Sequence, residues 1–495
     1  MFQPSYDNIF VDKRIAVTPQ NTLLESRINS KEEIKKILSV SLNPEILSSE
    51  LLAGEALLTG RAVIRLLAVT ESGDVVGLTA NADFTEKVKG DITPAAKVFW
   101  DVVPLETNYE ITNGVAKVSA LLEISGEGVI SEETQILTGG EDILTLGKDI
   151  EFSRMVICDR IPTVIENELE VKQNIARILL AESFLTVKDF SVTDNILTFS
   201  GKATVNVIFI SDENQILFKI LSFDYTQEAP VNGFNEATAL SLRLRTKNTK
   251  IHMDVVEDLP TTSFTVEIEA MALLCGYESE MKTVTADAYS MTHETSVLTK
   301  QIKSATPIGL FFGETETTAN VPMEGMIDKF IAVSGISANV IKIVNGEGFA
   351  EIEGVVSGDI LYEKEELTDS TRFAIPFTYT LKDEIISTDT PLTVSVNVAD
   401  VSYRLDRQDA DITAKLNLSI EGRRENTYSA ISAIEQGEEL NRAEGAIEVV
   451  LAHKGDTIWD VAKWLHMKQE DILAVNPDLA APLEADAKIV LYHKL

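Results

Sequence analysis

The chain carries two cysteines and five histidines in 495 residues, and this scarcity rules out several kinds of chemistry at once. Cys158 and Cys275 are far apart in sequence and in unlike contexts. A disulfide framework is excluded, and two reduced, mostly buried thiols are expected. His252, His293, His453, His466 and His493 lack metal-ligand spacing, and neither C-x-x-C nor H-E-x-x-H occurs. No metal site and no cofactor are expected, and His453 and His466 are expected on the surface. Long apolar runs are missing too. None approaches the ~20 residues of a spanning helix, and the opening MFQPSYDNIFVDKR has no apolar core of a secretory signal. No membrane insertion is expected, and a cytoplasmic location is. Positive charge is short: 43 Lys and Arg stand against 78 Asp and Glu, for a net charge of −35. Such a surface repels phosphate backbones and anionic lipids, so nucleic acid and membrane-surface partners are disfavoured.

Catalytic machinery is equally sparse. The stretch from Gly139 to Lys148 resembles a phosphate loop only loosely: Gly147 follows Gly140 by seven positions where five are needed, and Asp149 replaces the Ser or Thr that would hold magnesium. Carboxylates are so numerous that a solvated acidic face explains any pair of them. No catalytic residue is expected.

What is present is repetition. GRAVIRLLAVT begins at Gly60, GKATVNVIFIS at Gly201 and GVVSGDILYEK at Gly354, each ending in a polar turn. A second run follows each turn and closes on an aromatic, Phe84, Tyr225 or Tyr379, which is expected to pack. Further on, VAKVSALLEISG, VEIEAMALLCG and ITAKLNLSIEG end at Gly126, Gly276 and Gly422. The periodicity inside these runs is two. Ala203, Val205, Val207 and Phe209 face one way and Lys202, Thr204 and Asn206 the other, the pattern of a strand with one face in a core and one in water. The expected fold is mainly β: three tandem β-sandwich-like repeat domains over residues 1–150, 151–300 and 301–437. Short helices are expected near Lys31 to Ile37 and Val171 to Leu179. Linkers are expected near 150–162, 292–315 and 434–446.

The last fifty residues read differently. Ile447 to Ala452 is a short apolar run with β-branched residues, hence a strand, and Gly455 suits a turn. Asp456 stands where an N-cap belongs, and Ile458, Val461, Ala462 and Leu465 make a helical stripe. A second helix fits Lys468 to Val475 and stops at Asn476, because Pro477 pushes the residue before it out of helical geometry. Lys488 to Tyr492 closes the unit as a strand. With GDTIWDVA after the first strand and EDILAVNP ending the second helix, this βααβ unit resembles a LysM domain over residues 447–495. Leu465-His466-Met467, Asp486 and the final Tyr492-His493 depart from the family pattern. The resemblance implies a shallow ligand groove between two loops, Gly455, Asp456, Thr457 and Ile458 in one and Asn476, Pro477, Asp478 and Leu479 in the other. The fold needs a turn, a cap and a stop here whatever the unit binds. Trp459 is expected to pack.

A threefold β-unit followed by one LysM domain resembles the SPOCS-plus-LysM arrangement of SipL-type clostridial spore-morphogenesis proteins. The resemblance implies a non-catalytic spore-coat assembly adaptor. It would be made in the mother cell and recruited to the forespore surface, its LysM domain binding a polymerising coat-scaffold ATPase or another coat protein. The alternative ligand is peptidoglycan, gripped through N-acetylglucosamine. A mother-cell protein without a secretory signal is separated from that glycan by membrane, which favours the protein partner.

Overall fold

The computed structural model describes residues 2–232, 239–253, 261–323, 325–405, 409–440, 447–479 and 482–492. The chain is mainly β, built from several small sheets, with two short helices near its end among the described residues. The first six strands are β1 (Gln3–Ile28), β2 (Ile34–Leu52), β3 (Glu55–Thr70), β4 (Val75–Lys89), β5 (Lys97–Thr112) and β6 (Val115–Glu141). Strands β2, β3 and β4 form an antiparallel meander, while β1 and β5 flank β6 in a second sheet.

The same succession then recurs. In β7 (Ile143–Glu170), β8 (Ile175–Thr193), β9 (Ile196–Ser211), β10 (Ile216–Pro230), β11 (Ala239–His252) and β12 (Ser263–Ser290), the meander is β8-β9-β10 and β12 lies between β7 and β11. In β13 (His293–Pro322), β14 (Lys329–Gly346), β15 (Phe349–Lys364), β16 (Leu367–Lys382), β17 (Leu392–Leu405) and β18 (Asp409–Glu439), the meander is β14-β15-β16 and β18 lies between β13 and β17. A single bridge, Gly140 to Ile143, joins the first two sets into one six-stranded sheet.

Alternation builds each core. Ala116, Val118, Ala120, Leu122 and Ile124 of β6 are all buried and pack against β1 and the β2–β4 meander, while Lys117, Ser119 and Glu123 take the other face. The second and third sets enclose equivalent cores, with Phe199, Val207, Val266 and Leu274 in one and Ile352, Ile375, Ile412 and Leu418 in the other. Each such aliphatic side chain contributes about 1.5–3 kcal/mol by leaving water.

The recurring glycines are explained by what lies across from them. Gly60 pairs with Phe84 and Gly201 with Tyr225. In the third set the partner of Gly354 is Phe377, not Tyr379, which pairs with Ile352. The β15–β16 hairpin closes with a two-residue turn, Glu365-Glu366, both at positive φ, and this shifts the register relative to the longer turns of the other sets. A Cβ on Gly60 or Gly354 would fall inside the facing ring, and one on Gly201 would sit 1.8 Å from the Thr186 carbonyl oxygen. Because that neighbour is backbone, Gly201→Ala should cost about 2–3 kcal/mol. The expected readout is a lower urea midpoint at unchanged slope.

The structure departs from the sequence reading where the three sets meet. Lys202 is exposed as expected, but Thr204 and Asn206 are buried, so the second half of β9 has no face in water. The three meanders pack on one another there. Leu38 and Leu67 from the first, Leu180 and Ile208 from the second, and Ile331 and Leu361 from the third share one apolar cluster. The expected helices near 31–37 and 171–179 are absent. Ile34 opens β2 and Ile175 opens β8, each captured by a neighbouring strand. The limits at 150/151, 300/301 and 437 fall inside β7, β13 and β18, and the expected linkers at 150–162 and 292–315 are strand, the second from His293 on. The third, 434–446, is strand to Glu439, and its residues 441–446 lie outside the described residues.

These boundary strands are long because each serves twice. β1, β6, β7, β12, β13 and β18 run for 26, 27, 28, 28, 30 and 31 residues. One half lines a core, and the other half passes a register shift, at Val17/Gln20, Gly276/Tyr277 or Pro307/Gly309, into a shared extension. There Ile9, Ile136, Ile150, Phe152, Val284, Ile302 and Ala430 form a separate core from all three sets.

Candidate functional site

The terminal unit comprises β19 (Ile447–Ala452), α1 (Ile458–Leu465), α2 (Gln469–Val475) and β20 (Ala487–Tyr492), with β19 and β20 paired antiparallel. Its core gathers Ala452, Trp459, Val461, Ala462, Ile472, Ile489 and Leu491. The N-cap of α1 is Thr457 rather than Asp456. The Asp460 amide donates to Thr457 Oγ1 at 3.1 Å and the Thr457 amide donates to Asp460 Oδ2 at 2.9 Å, a reciprocal capping box. Asp456 instead closes the preceding turn, its carboxylate accepting from the His453 amide at 2.7 Å. Both residue types can cap a helix, and the acid three residues past Thr457 decides between them.

Of the eight expected groove positions, three are committed to the fold: Thr457 caps α1, and two others hold the loops. Asp456 holds the turn, and Asn476 clamps α2 to β20, its amide donating to the Ile472 and Val490 carbonyls while its oxygen accepts from the Val490 amide. Gly455, at φ +97°, Thr457, Pro477 and Asp478 are exposed, and Ile458 and Leu479 are half-buried. The first loop is tied to the stretch just beyond the second: the Gly455 amide donates to the Leu483 carbonyl and the Leu483 amide to that of Asp456. Asp486 accepts from the Lys454 amide at 2.9 Å and so steadies the same loop.

The opposite side of α1 is fastened to the body. Asp287 of β12 accepts from Trp459 Nε1 at 2.8 Å and from Lys463 Nζ at 2.7 and 2.8 Å. Tyr289 is almost wholly buried, its hydroxyl donating to the Met467 carbonyl at 2.6 Å and its ring meeting that of Trp459 edge-on at 5.0 Å. His466, expected on the surface, is half-buried in this junction and donates from Nδ1 to the Ser290 carbonyl at 2.8 Å. Trp459 packs, as expected of this aromatic on the first terminal helix. Nothing in the sequence near Asp287 or Tyr289 signals that a unit some 170 residues later docks there. Neither a family model, nor a curated protein, nor a solved structure matches the chain.

The body holds two further polar centres. The first is a cavity of about 330 Å³ bordered by all three meanders. Arg65, Asn206 and Asp359, each five residues after a recurring glycine, are all buried in this region, and Arg65 and Asp359 line the cavity beside Glu182 and Arg372. Arg65 donates to Asn248 Oδ1 at 2.5 Å, Arg372 Nε to Asp359 at 3.2 Å, and the Gly335 amide to both oxygens of Glu182 at 3.1 Å. Burial pushes the Glu182 carboxyl up to about 7, against the Ser41 hydrogen bond and the Arg65 charge.

The second centre follows the other glycines. Glu127, Tyr277 and Arg423 come directly after Gly126, Gly276 and Gly422 and converge: Arg423 donates to the Tyr277 hydroxyl and lies 3.6 Å from Glu127. Glu421 accepts from Arg243 at 2.6 Å, Ser241 at 3.0 Å, Tyr277 at 3.1 Å and Arg423 at 2.8 Å. The second centre balances its own charges, Glu421 and Glu127 against Arg243 and Arg423. In neither centre do these contacts pair a nucleophile with a base, and no group of three His, Cys, Asp or Glu side chains able to hold a metal occurs among the described residues.

Proposed function

We propose that the chain is a non-catalytic assembly adaptor: three SPOCS-like β-units carrying a LysM-like terminal unit whose groove, formed by Gly455–Ile458 and Asn476–Leu479, binds a coat-scaffold protein on the forespore surface. The carrying observation is the division of labour around α1. One side is fixed to Asp287 and Tyr289, while Gly455, Thr457, Pro477 and Asp478 remain exposed. A unit held by its back presents its loops at a set orientation, which is what a recruiting module needs. The acidic surface favours a protein ligand over anionic polymers.

Deleting residues 447–495 should abolish partner capture while the three body cores persist. Asp478→Arg should weaken capture tenfold or more with no change in melting temperature, because the side chain is exposed and carries no core contact. Ile458→Asp and Leu479→Asp should weaken it further, with some cost to the terminal unit itself. The measurement is retention of the isolated coat-scaffold ATPase on immobilised full-length chain, beside a sedimentation assay on purified peptidoglycan. Sedimentation with glycan and no retention of protein would replace the scaffold partner by N-acetylglucosamine polymer in the same groove.

A further inference from the structure

Cys158 and Cys275, separated by more than a hundred residues, are directly opposed in the β7–β12 ladder. Both are free thiols, and they share one apolar cluster with Val129, Met155 and Tyr277. Opposed residues of an antiparallel pair project from the same face, with Cα atoms about 4.5 or 5.5 Å apart according to the ladder position. Both spacings lie inside the window of about 4.4–6.8 Å that a disulfide spans. The site also sits at a yielding point of the strand, since the register shift at Gly276/Tyr277 follows at once. The small contraction that brings opposed Cβ atoms to bonding distance is therefore available locally.

We propose that Cys158 and Cys275 form a reversible cross-strand disulfide, a redox latch on the strand that carries the terminal unit. The oxidant is a low-molecular-weight disulfide. Cys158, the half-buried member, loses its proton and attacks one sulfur of the oxidant, releasing one small thiolate and leaving a mixed disulfide. The buried Cys275 then loses its proton and attacks the Cys158 sulfur, expelling the second small thiolate. The two released protons end on the two small thiols, so two protein thiols are oxidised and one small disulfide is reduced. Burial holds both groups as thiols, up to about 11 for Cys158 and about 12 for Cys275, which makes the exchange slow at neutral pH. In a reducing compartment the pair stays open. Once closed, the bond ties β7 to β12 beside the Glu421 centre, on the same strand that ends in Asp287 and Tyr289.

The test treats the folded full-length chain with oxidised glutathione, then unfolds and alkylates it for intact-mass and peptide analysis. The expected result is a fall from two titratable thiols per chain to none, a mass lower by two hydrogens, and a linked Cys158–Cys275 peptide that dithiothreitol separates. The Cys275→Ser variant should instead retain one glutathione on Cys158, and Cys158→Ser should remain largely unmodified. Two alkylatable thiols after prolonged exposure, or a glutathione adduct on Cys158 that never resolves in the wild-type chain, would overturn the proposal. The readout is chemical and independent of partner binding, so it stands or falls apart from the adaptor reading.

Discussion

Glu421→Gln should lower the stability of the body by about 3–5 kcal/mol at neutral pH, the usual cost of removing one partner from a buried ion pair. The substitution keeps the shape and removes the charge. Glu421 is the shared acceptor for Arg243 and Ser241 of the second strand set and for Arg423 of the third. Without it, two guanidinium groups stay in the interior with Glu127 as the remaining nearby acid. Burial opposes ionisation of Glu421, but the charges of Arg243 and Arg423 and the hydrogen bonds from Arg243 and Ser241 outweigh it and hold the carboxyl down to about 2. A depressed carboxyl contributes stability that is present above its unfolded value of about 4.5 and is lost as pH falls through about 2. That gap corresponds to about 3 kcal/mol. Urea melts at pH 7 and pH 3 should therefore show a large loss on acidification in the wild type and a smaller one in Glu421→Gln. A double variant, Glu421→Gln with Arg423→Met, should lose less than the sum of the two singles, since the charge left stranded by one change is removed by the other. Additive losses would mean that the two residues do not act as a pair.

Glu182 runs in the opposite direction. Its carboxyl is buried in the meander cavity and raised to about 7, so its contribution is fully present below about 4.5 and is lost as pH rises through 7. At pH 8 the wild type carries a buried charge whose cost, relative to the protonated form, is again about 3 kcal/mol. Glu182→Gln keeps an oxygen to accept from the Gly335 amide and removes the ionisation. The variant should be more stable than the wild type at pH 8, by up to about 3 kcal/mol, and indistinguishable near pH 5. The check is the thermal midpoint of both proteins from pH 5 to pH 8. Parallel profiles would sink the assignment. The two carboxylates thus pull in opposite directions, Glu421 favouring the fold above about 4.5 and Glu182 below it.

Much of this organisation was written locally and some of it was not. The alternating runs ending at Gly126, Gly276 and Gly422 announce strands, because side chains in a pleated ribbon alternate faces whatever they pair with. Their partners are another matter. β1 pairs with β6 across most of a strand set, and β7 with β12, and no local pattern specifies contacts at that range. The same gap explains Thr204 and Asn206. Their polar character marks a wet face, yet neighbouring strands cover it, and Thr204 donates to the Ala399 carbonyl of β17 instead of to water. The two cysteines are the sharpest case, remote in sequence and opposed in the ladder. In the terminal unit the turn at Gly455 and the stop at Asn476 were legible because glycine and proline act through their own backbone limits. The choice of Thr457 over Asp456 as cap was not, since it rests on a side-chain pair. Asp287 and Tyr289 carried no signal, because a docking surface on a strand looks like any other half-buried face.

The convergence of Glu127, Tyr277 and Arg423 has a consequence for how such a body could be assembled. If three separate, identical polypeptides met in this way, each would bring the same side chain to the meeting point, and an acid would face two acids, or a guanidinium two guanidiniums. Covalent fusion lifts that restriction. One gene can place an acid, a phenol and a base at corresponding stations, so that the interior neutralises itself without counter-ions. The chain therefore has a heterogeneous hub that a homotrimer of any one of its thirds would lack.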